Sequence, residues 1–221
     1  VKSMSETSTK IFILEVMGRH AGWLAASSGT IKNFAEDLPH LILLPEVDFK
    51  ERIFIKKVKE ITNKFGYCVI VASEGIKNSE NKFLSDSGLK DSFGHAQLGG
   101  VAPVLSKLIT RKLKYKVHWA VSDYLQRSAR HIGSKVDVDQ AYGLGQKAIT
   151  YAKNNINDVM LIIKNISSKG KYKWSISHTS IDKVANVEKM LPKSFIKKNG
   201  FEITKSCKEY ILNLIEGEDY P

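Results

Sequence analysis

The sequence predicts an α/β fold, a three-layer sandwich in which a parallel sheet is covered by helices on both faces. Two observations predict it. Short apolar runs at Ile11–Val16, Leu41–Leu44, Tyr67–Ala72 and Val117–Val121 have the length and the continuous hydrophobicity of buried strands. Between them, Ala21–Phe34, Lys50–Phe65, Gly100–Leu113 and Val138–Asn154 carry apolar residues three or four apart with lysines on the opposite side, the period of an amphipathic helix. Parallel neighbours need crossovers of this kind, and their sheets are buried on both faces. Ligands of such sheets gather beyond the carboxyl ends of the strands.

After Asn157 the pattern changes. Val159–Lys164 and Tyr172–Ser177, on either side of the turn-like Ser167-Ser168-Lys169-Gly170, predict a hairpin. A last helix is expected over Lys205–Ile215, running into the acidic Glu216-Gly217-Glu218-Asp219. The stretch Ile76–Gln97 shows neither period and is expected to be a long loop, able to act as a lid.

A chain of 221 residues with 43% hydrophobic residues and only 5 prolines is long enough to bury a core in one or two domains. It has no apolar run of the roughly eighteen residues a membrane helix needs, and no apolar stretch before Ile11, so neither a membrane span nor a secretory signal is expected. A cytoplasmic location follows as an expectation. Cys68 and Cys207 stand in no motif spacing and are expected to be reduced thiols with no disulfide and no metal. The net charge of +11 is spread singly and in pairs rather than gathered into one aromatic-laced stripe, which argues against a nucleic-acid partner. Only Arg19, Arg52, Arg111, Arg127 and Arg130 are arginine; every other fixed cation is lysine. A guanidinium grips phosphate through two parallel hydrogen bonds that an ammonium cannot form, so arginines in a lysine-dominated chain point to a geometric demand.

Three segments just past predicted strands can carry chemistry. In Leu14-Glu15-Val16-Met17-Gly18-Arg19-His20-Ala21-Gly22-Trp23 a strand turns at a glycine into a helix. Gly18 admits a close ligand, the helix start offers free N–H groups, and Arg19 adds its fork; a plain tight turn with a solvated arginine fits the spacing equally. Val71-Ala72-Ser73-Glu74-Gly75 delivers one carboxylate to a strand end, where it can accept from sugar hydroxyls or simply face water. In Asp123-Tyr124-Leu125-Gln126-Arg127-Ser128-Ala129-Arg130-His131, Tyr124 and Arg127 are three apart and can address one ligand from one turn; a solvated loop is the other reading. Leu98-Gly99-Gly100 is a weaker pattern, a phosphate cradle or a turn.

The phrases Glu15–Trp23, Ser73-Glu74-Gly75 and Tyr124-Leu125-Gln126-Arg127-Ser128 resemble, in this order and spacing, the sugar-phosphate motifs of the phosphofructokinase family. Asp137–Gly145 looks like the helix that follows them, and Val184–Lys189 with Gly217–Pro221 resembles the tail of the bacterial pyrophosphate-dependent members. The resemblance implies a fold of the phosphofructokinase type, incomplete because the amino-terminal part is absent. It divides the chain into a fructose 6-phosphate-binding domain at 1–125 and a return segment with a tail at 126–221.

Carried over residue by residue, the resemblance makes Met17, Gly18 and Arg19 contacts of fructose 6-phosphate and Glu74 a partner of its hydroxyls, with Tyr124 and Arg127 holding the sugar and its phosphate. Arg19 is also the catalytic residue that neutralises charge on the phosphoryl group in flight. Tyr124 stands where ATP-using relatives usually have histidine, which favours pyrophosphate as donor. Lys10 and His118 stand where many relatives have arginines that reach a phosphate from a neighbouring subunit, in a dimer or tetramer. Mg²⁺ is the implied cofactor. The family's donor-phosphate loop, aspartate base and magnesium-placing segment lie upstream of Met17 in relatives. Two alternatives remain beside the pyrophosphate enzyme of glycolysis and gluconeogenesis: an ATP-dependent 6-phosphofructokinase, and an inactive sugar-phosphate-binding or regulatory piece.

Overall fold

In the computed structural model of the chain, residues 2–33, 37–90, 96–98, 100–167, 172–215 and 217 are described. Two compact units emerge. The first comprises Val1–Ser128 with Met190–Lys208, the second Ala129–Lys189 with Glu209–Pro221.

The first unit is built on four parallel strands, β1 (Ile11–Val16), β2 (Leu41–Leu43), β3 (Cys68–Ser73) and the edge strand β6 (Val117–Val121), in the order β2-β3-β1-β6. Alternation along β1 sends Ile11 and Ile13 to one face. There they join Leu41, Leu43, Ile70 and Ala72 beneath Phe54 and Val58 of helix α2 (Glu51–Phe65) and Val101, Leu105 and Ile109 of helix α3 (Val101–Leu113). Each such fully buried side chain contributes about 1.5–3 kcal/mol relative to exposure. On the other face lie helix α1 (Trp23–Ser27), with Ala25 and Ala26 buried, and a 3₁₀ turn over Ser28–Ile31 whose Gly29 packs against Ile42 and Ile203. Helices therefore cover both faces of the parallel sheet, as the sequence pattern predicts.

Met190–Lys208 closes the outer side of β2. Ile42 N–H donates to the Phe201 carbonyl at 2.9 Å, and Leu191, Ile203 and Cys207 are buried. The segment's apolar side chains find their cover in the first unit.

Two expectations are corrected. The helix expected over Ala21–Phe34 ends at Ser27: Ser27, Ser28 and Thr30 turn their hydroxyls back to carbonyls three residues earlier, at 2.6–2.7 Å, and favour the tighter 3₁₀ winding. Phe34 lies outside the described residues. The expected open loop at Ile76–Gln97 is largely structured. Strands β4 (Asp86–Lys90) and β5 (Ala96–Leu98) pair antiparallel, Leu84 N–H bonds to the Ile76 carbonyl at 3.0 Å, and Ile76 is buried. Residues 91–95, which include Asp91, and Gly99 lie outside the described residues, as do 168–170 of the hairpin turn and 218–221 of the tail.

The second unit contains helix α5 (Lys135–Lys153) and the hairpin of β7 (Val159–Asn165) with β8 (Trp174–Ser180), paired over all seven positions. Gly143 lets α5 approach the hairpin, since a Cβ there would meet Ile176 at 3.0 Å. Gln140, the buried residue of α5, donates to the Tyr172 hydroxyl at 3.1 Å. A last helix, α6, runs over Lys205–Leu212, shorter than the Lys205–Ile215 pattern.

Candidate functional site

Register decides what can meet at the carboxyl edge of the sheet. Val16 pairs with Ser73 and Glu15 pairs with Val121, so β1, β3 and β6 end side by side and release Met17, Glu74 and Ser122 into one crevice. Their backbones stay joined past the strands: Glu74 N–H donates to the Val16 carbonyl at 2.9 Å and Ser122 N–H to the Glu15 carbonyl at 3.1 Å.

Gly18 adopts φ +140°, a conformation closed to other residues, and its N–H donates to Glu74 Oε1 at 3.1 Å. Its carbonyl accepts from the Ser73 hydroxyl at 2.5 Å. Gly75 is required for a different reason: a Cβ there would fall 1.8 Å from the Arg19 carbonyl oxygen. The loop that carries Arg19 thus lies directly on the Ser73–Gly75 backbone. On the other side of the crevice, Asp123 at φ +41° starts the turn into the short helix α4 (Leu125–Ser128). Gln126 Oε1 accepts from Met17 N–H at 3.3 Å, and Arg127 Nε donates to Met17 Sδ at 3.3 Å. Tyr124 is 70% exposed, on the open side of that turn.

All six residues expected to touch sugar phosphate, Met17, Gly18, Arg19, Glu74, Tyr124 and Arg127, therefore leave the ends of three adjacent strands, and five of them are connected by the contacts just given. Lys10 and His118 are not brought to them. Lys10 precedes β1 and His118 faces Phe12, at the opposite end of the sheet and, at about 3.3 Å per residue, some 15–25 Å away along the strand. At the start of α1, the N–H of the cap residue Gly22 donates to Glu46 Oε1 at 2.9 Å.

Behind the crevice, Glu15 is a buried carboxylate on β1 whose Oε2 accepts from Ala102 N–H at 2.7 Å, capping α3 in place of Gly100, which has no side chain to do so. Burial pushes its pKa up, the helix N–H groups oppose that, and the nearby charges of Glu74 and Asp123 add to it. Glu15, Ser73 and Gln126 stand inside the three motif phrases, but nothing in their local pattern shows which distant backbone group each holds. Cys68 and Cys207 are free, buried thiols, pushed up to about 12 and about 11 by burial and so not poised as nucleophiles.

Two arginines and a carboxylate, Arg19, Arg127 and Glu74, thus follow the ends of adjacent strands, and these residue types suit a phosphate and hydroxyl groups respectively. Residues 1–152 match the family described as Phosphofructokinase. The chain belongs to the phosphofructokinase family. It is 51% identical over its whole length to the pyrophosphate–fructose 6-phosphate 1-phosphotransferase of Halomonas elongata, covering 52% of that protein, and 50% identical to the protein of the same name from Methylococcus capsulatus, again over 52% of it. Among solved phosphofructokinases, the pyrophosphate-dependent enzyme of Nitrosospira multiformis superposes with a TM-score of 0.86 at 47% identity, over all of this chain and 51% of that one. The enzyme of Marinobacter aquaeolei, also described as pyrophosphate-dependent, gives the same TM-score at 44% identity and the same coverage. The chain thus spans about half the length of the phosphofructokinases it matches.

Proposed function

We propose that the full-length protein transfers a phosphoryl group from pyrophosphate to the 1-hydroxyl of fructose 6-phosphate, and that these 221 residues supply its sugar-phosphate side. The observation that carries this reading is the convergence of Met17–Arg19, Glu74 and Tyr124–Arg127 at the ends of three neighbouring parallel strands. The names of the Halomonas elongata and Methylococcus capsulatus relatives support pyrophosphate over ATP as donor.

In this reading Arg127 and Tyr124 hold the 6-phosphate and the sugar, while Glu74 accepts from the sugar hydroxyls and, through Gly18 N–H, is held in place to do so. The 1-hydroxyl oxygen forms the new bond to phosphorus as the bond to the leaving phosphate breaks in line. Arg19 neutralises the charge that spreads over the oxygens in flight. The hydroxyl proton passes to a base that the resemblance locates outside these residues. Mg²⁺ needs several oxygen ligands, and the described residues contain no group of three or more His, Cys, Asp or Glu that could hold a metal. We assign the sugar-phosphate domain to the first compact unit and, by resemblance, place the enzyme in the cytoplasm as a dimer or tetramer in which Lys10 and His118 approach a neighbour's phosphate. No described helix is long and apolar enough to cross a membrane.

The test is an assay of fructose 1,6-bisphosphate formation by the purified full-length protein with Mg²⁺ and either donor. Turnover with pyrophosphate is expected. Turnover with ATP alone would overturn the donor, and turnover with neither would overturn the activity.

A further inference from the structure

The loop Gly18–Gly22 is tied at both ends by carboxylates from elsewhere in the first unit. At its start Gly18 N–H is held by Glu74 Oε1 at 3.1 Å; at its end Gly22 N–H is held by Glu46 Oε1 at 2.9 Å. The same Glu46 oxygen accepts from Leu191 N–H at 2.9 Å, so one atom joins the loop to the Met190–Lys208 segment. Glu46 Oε2 is buried and has no hydrogen-bond partner among the described residues, an arrangement that costs free energy and calls for a reason. Gly22 leaves the loop end no slack: a Cβ there would come within 2.7 Å of Leu44 Cδ2 and 2.8 Å of that Oε2. Between these two ties lie only Arg19, His20 and Ala21.

We propose that Glu46 is a positioning residue for Arg19. By fixing Gly22 and Leu191 on one oxygen it sets where the loop ends, as Glu74 sets where it begins, and so fixes the origin from which the guanidinium reaches the phosphoryl group. Glu46 touches no substrate in this scheme. It acts through Arg19, and the inference rests on the role given to Arg19 above. It also makes the Met190–Lys208 segment part of the site's support.

A double-mutant cycle on the full-length protein tests this, reading kcat and the KM for fructose 6-phosphate with pyrophosphate. Glu46→Ala is expected to lower kcat by roughly tenfold to a hundredfold, the scale of a misplacement near 1 Å. In an Arg19→Lys background, where the fork is already lost, the same change is expected to cost less than about threefold. Glu46→Gln keeps an oxygen for both N–H donors and is expected to stay within about threefold of the parent. Glu46→Asp, with its shorter arm, replaces Glu46→Ala in the cycle if the alanine variant does not fold. Equal losses in both backgrounds, or a Gln variant as impaired as Ala, overturn the inference. A parent protein with no turnover fails the functional reading and takes the inference with it, an outcome distinct from an active parent with additive losses.

Discussion

At the scale of single residues, the site is made by pairs that are far apart in sequence and adjacent at strand ends. Arg127 shows what such a residue is for. Its Nε is occupied by Met17 Sδ, a weak acceptor, which orients the guanidinium without consuming its bidentate edge. Arg127→Lys in the full-length protein keeps the charge and loses the fork, so binding of fructose 6-phosphate is expected to weaken by about 1.5–3 kcal/mol while the melting midpoint stays put. A KM and turnover equal to those of the parent would remove Arg127 from the phosphate. Met17, Gly18, Arg19, Glu74, Tyr124 and Arg127 were legible in the sequence because each sits in a short contiguous phrase directly after an apolar strand. Ser73, Gln126 and Glu46 were not, because what they do is reach backbone groups 55, 109 and 145 positions away, and no local period encodes such a partner.

Elements were legible in proportion to how strongly one period dominates them. The sheet strands β1, β2, β3 and β6 fall within about a residue of their apolar runs. In the buried β2 and β3 this is because a strand buried on both faces has little choice of side chain, whereas β6 is marked by its apolar run although it is only partly buried. Strands β4 and β5 escaped, since Asp86-Ser87-Gly88-Leu89-Lys90 and Ala96-Gln97-Leu98 are short and mixed, with no apolar run to announce them. Helix α3 raises a question that sequence cannot pose: its amino end starts at a glycine, and its cap is the Glu15 carboxylate from β1. Glu15→Ala leaves that helix end without its acceptor beneath the core, and a loss of about 1–3 kcal/mol of stability is expected, read as a lower denaturant midpoint. Amide exchange in the first turn of α3 is expected to speed up more than in α2, and uniform acceleration would argue that the cap is unimportant.

For the molecule as a whole, acid stability is set in part by one buried imidazole. His40 Nδ1 accepts from Val69 N–H at 3.0 Å, a bond that needs the nitrogen bare, and burial, followed by the charge of Lys32, lowers its pKa from 6.5 to about 4. Between those values the unfolded chain binds the proton and the folded one does not, so stability present above about 6.5 is lost as pH falls toward about 4. His40→Asn retains an acceptor and does not titrate. The difference between the two stability curves is expected to change by on the order of 3 kcal/mol across that window, and parallel curves would show that His40 is protonated in the fold. Under the proposed function the base lies outside these residues, so residues 1–221 purified alone are expected to make no fructose 1,6-bisphosphate with either donor, and turnover above background would mean that the base is among them. The division of the first unit into Val1–Ser128 and Met190–Lys208 bears on how the protein is made. A ribosome finishes all four sheet strands before it begins the segment that covers β2, and the intervening residues 129–189, at about 5–20 residues per second, delay that cover by roughly 3–12 seconds. During that interval the nascent β2 edge, with Ile42 N–H still waiting for the Phe201 carbonyl, is open to any other extended strand, and a chaperone that shields it would have to let go only once Leu191 and Ile203 have emerged.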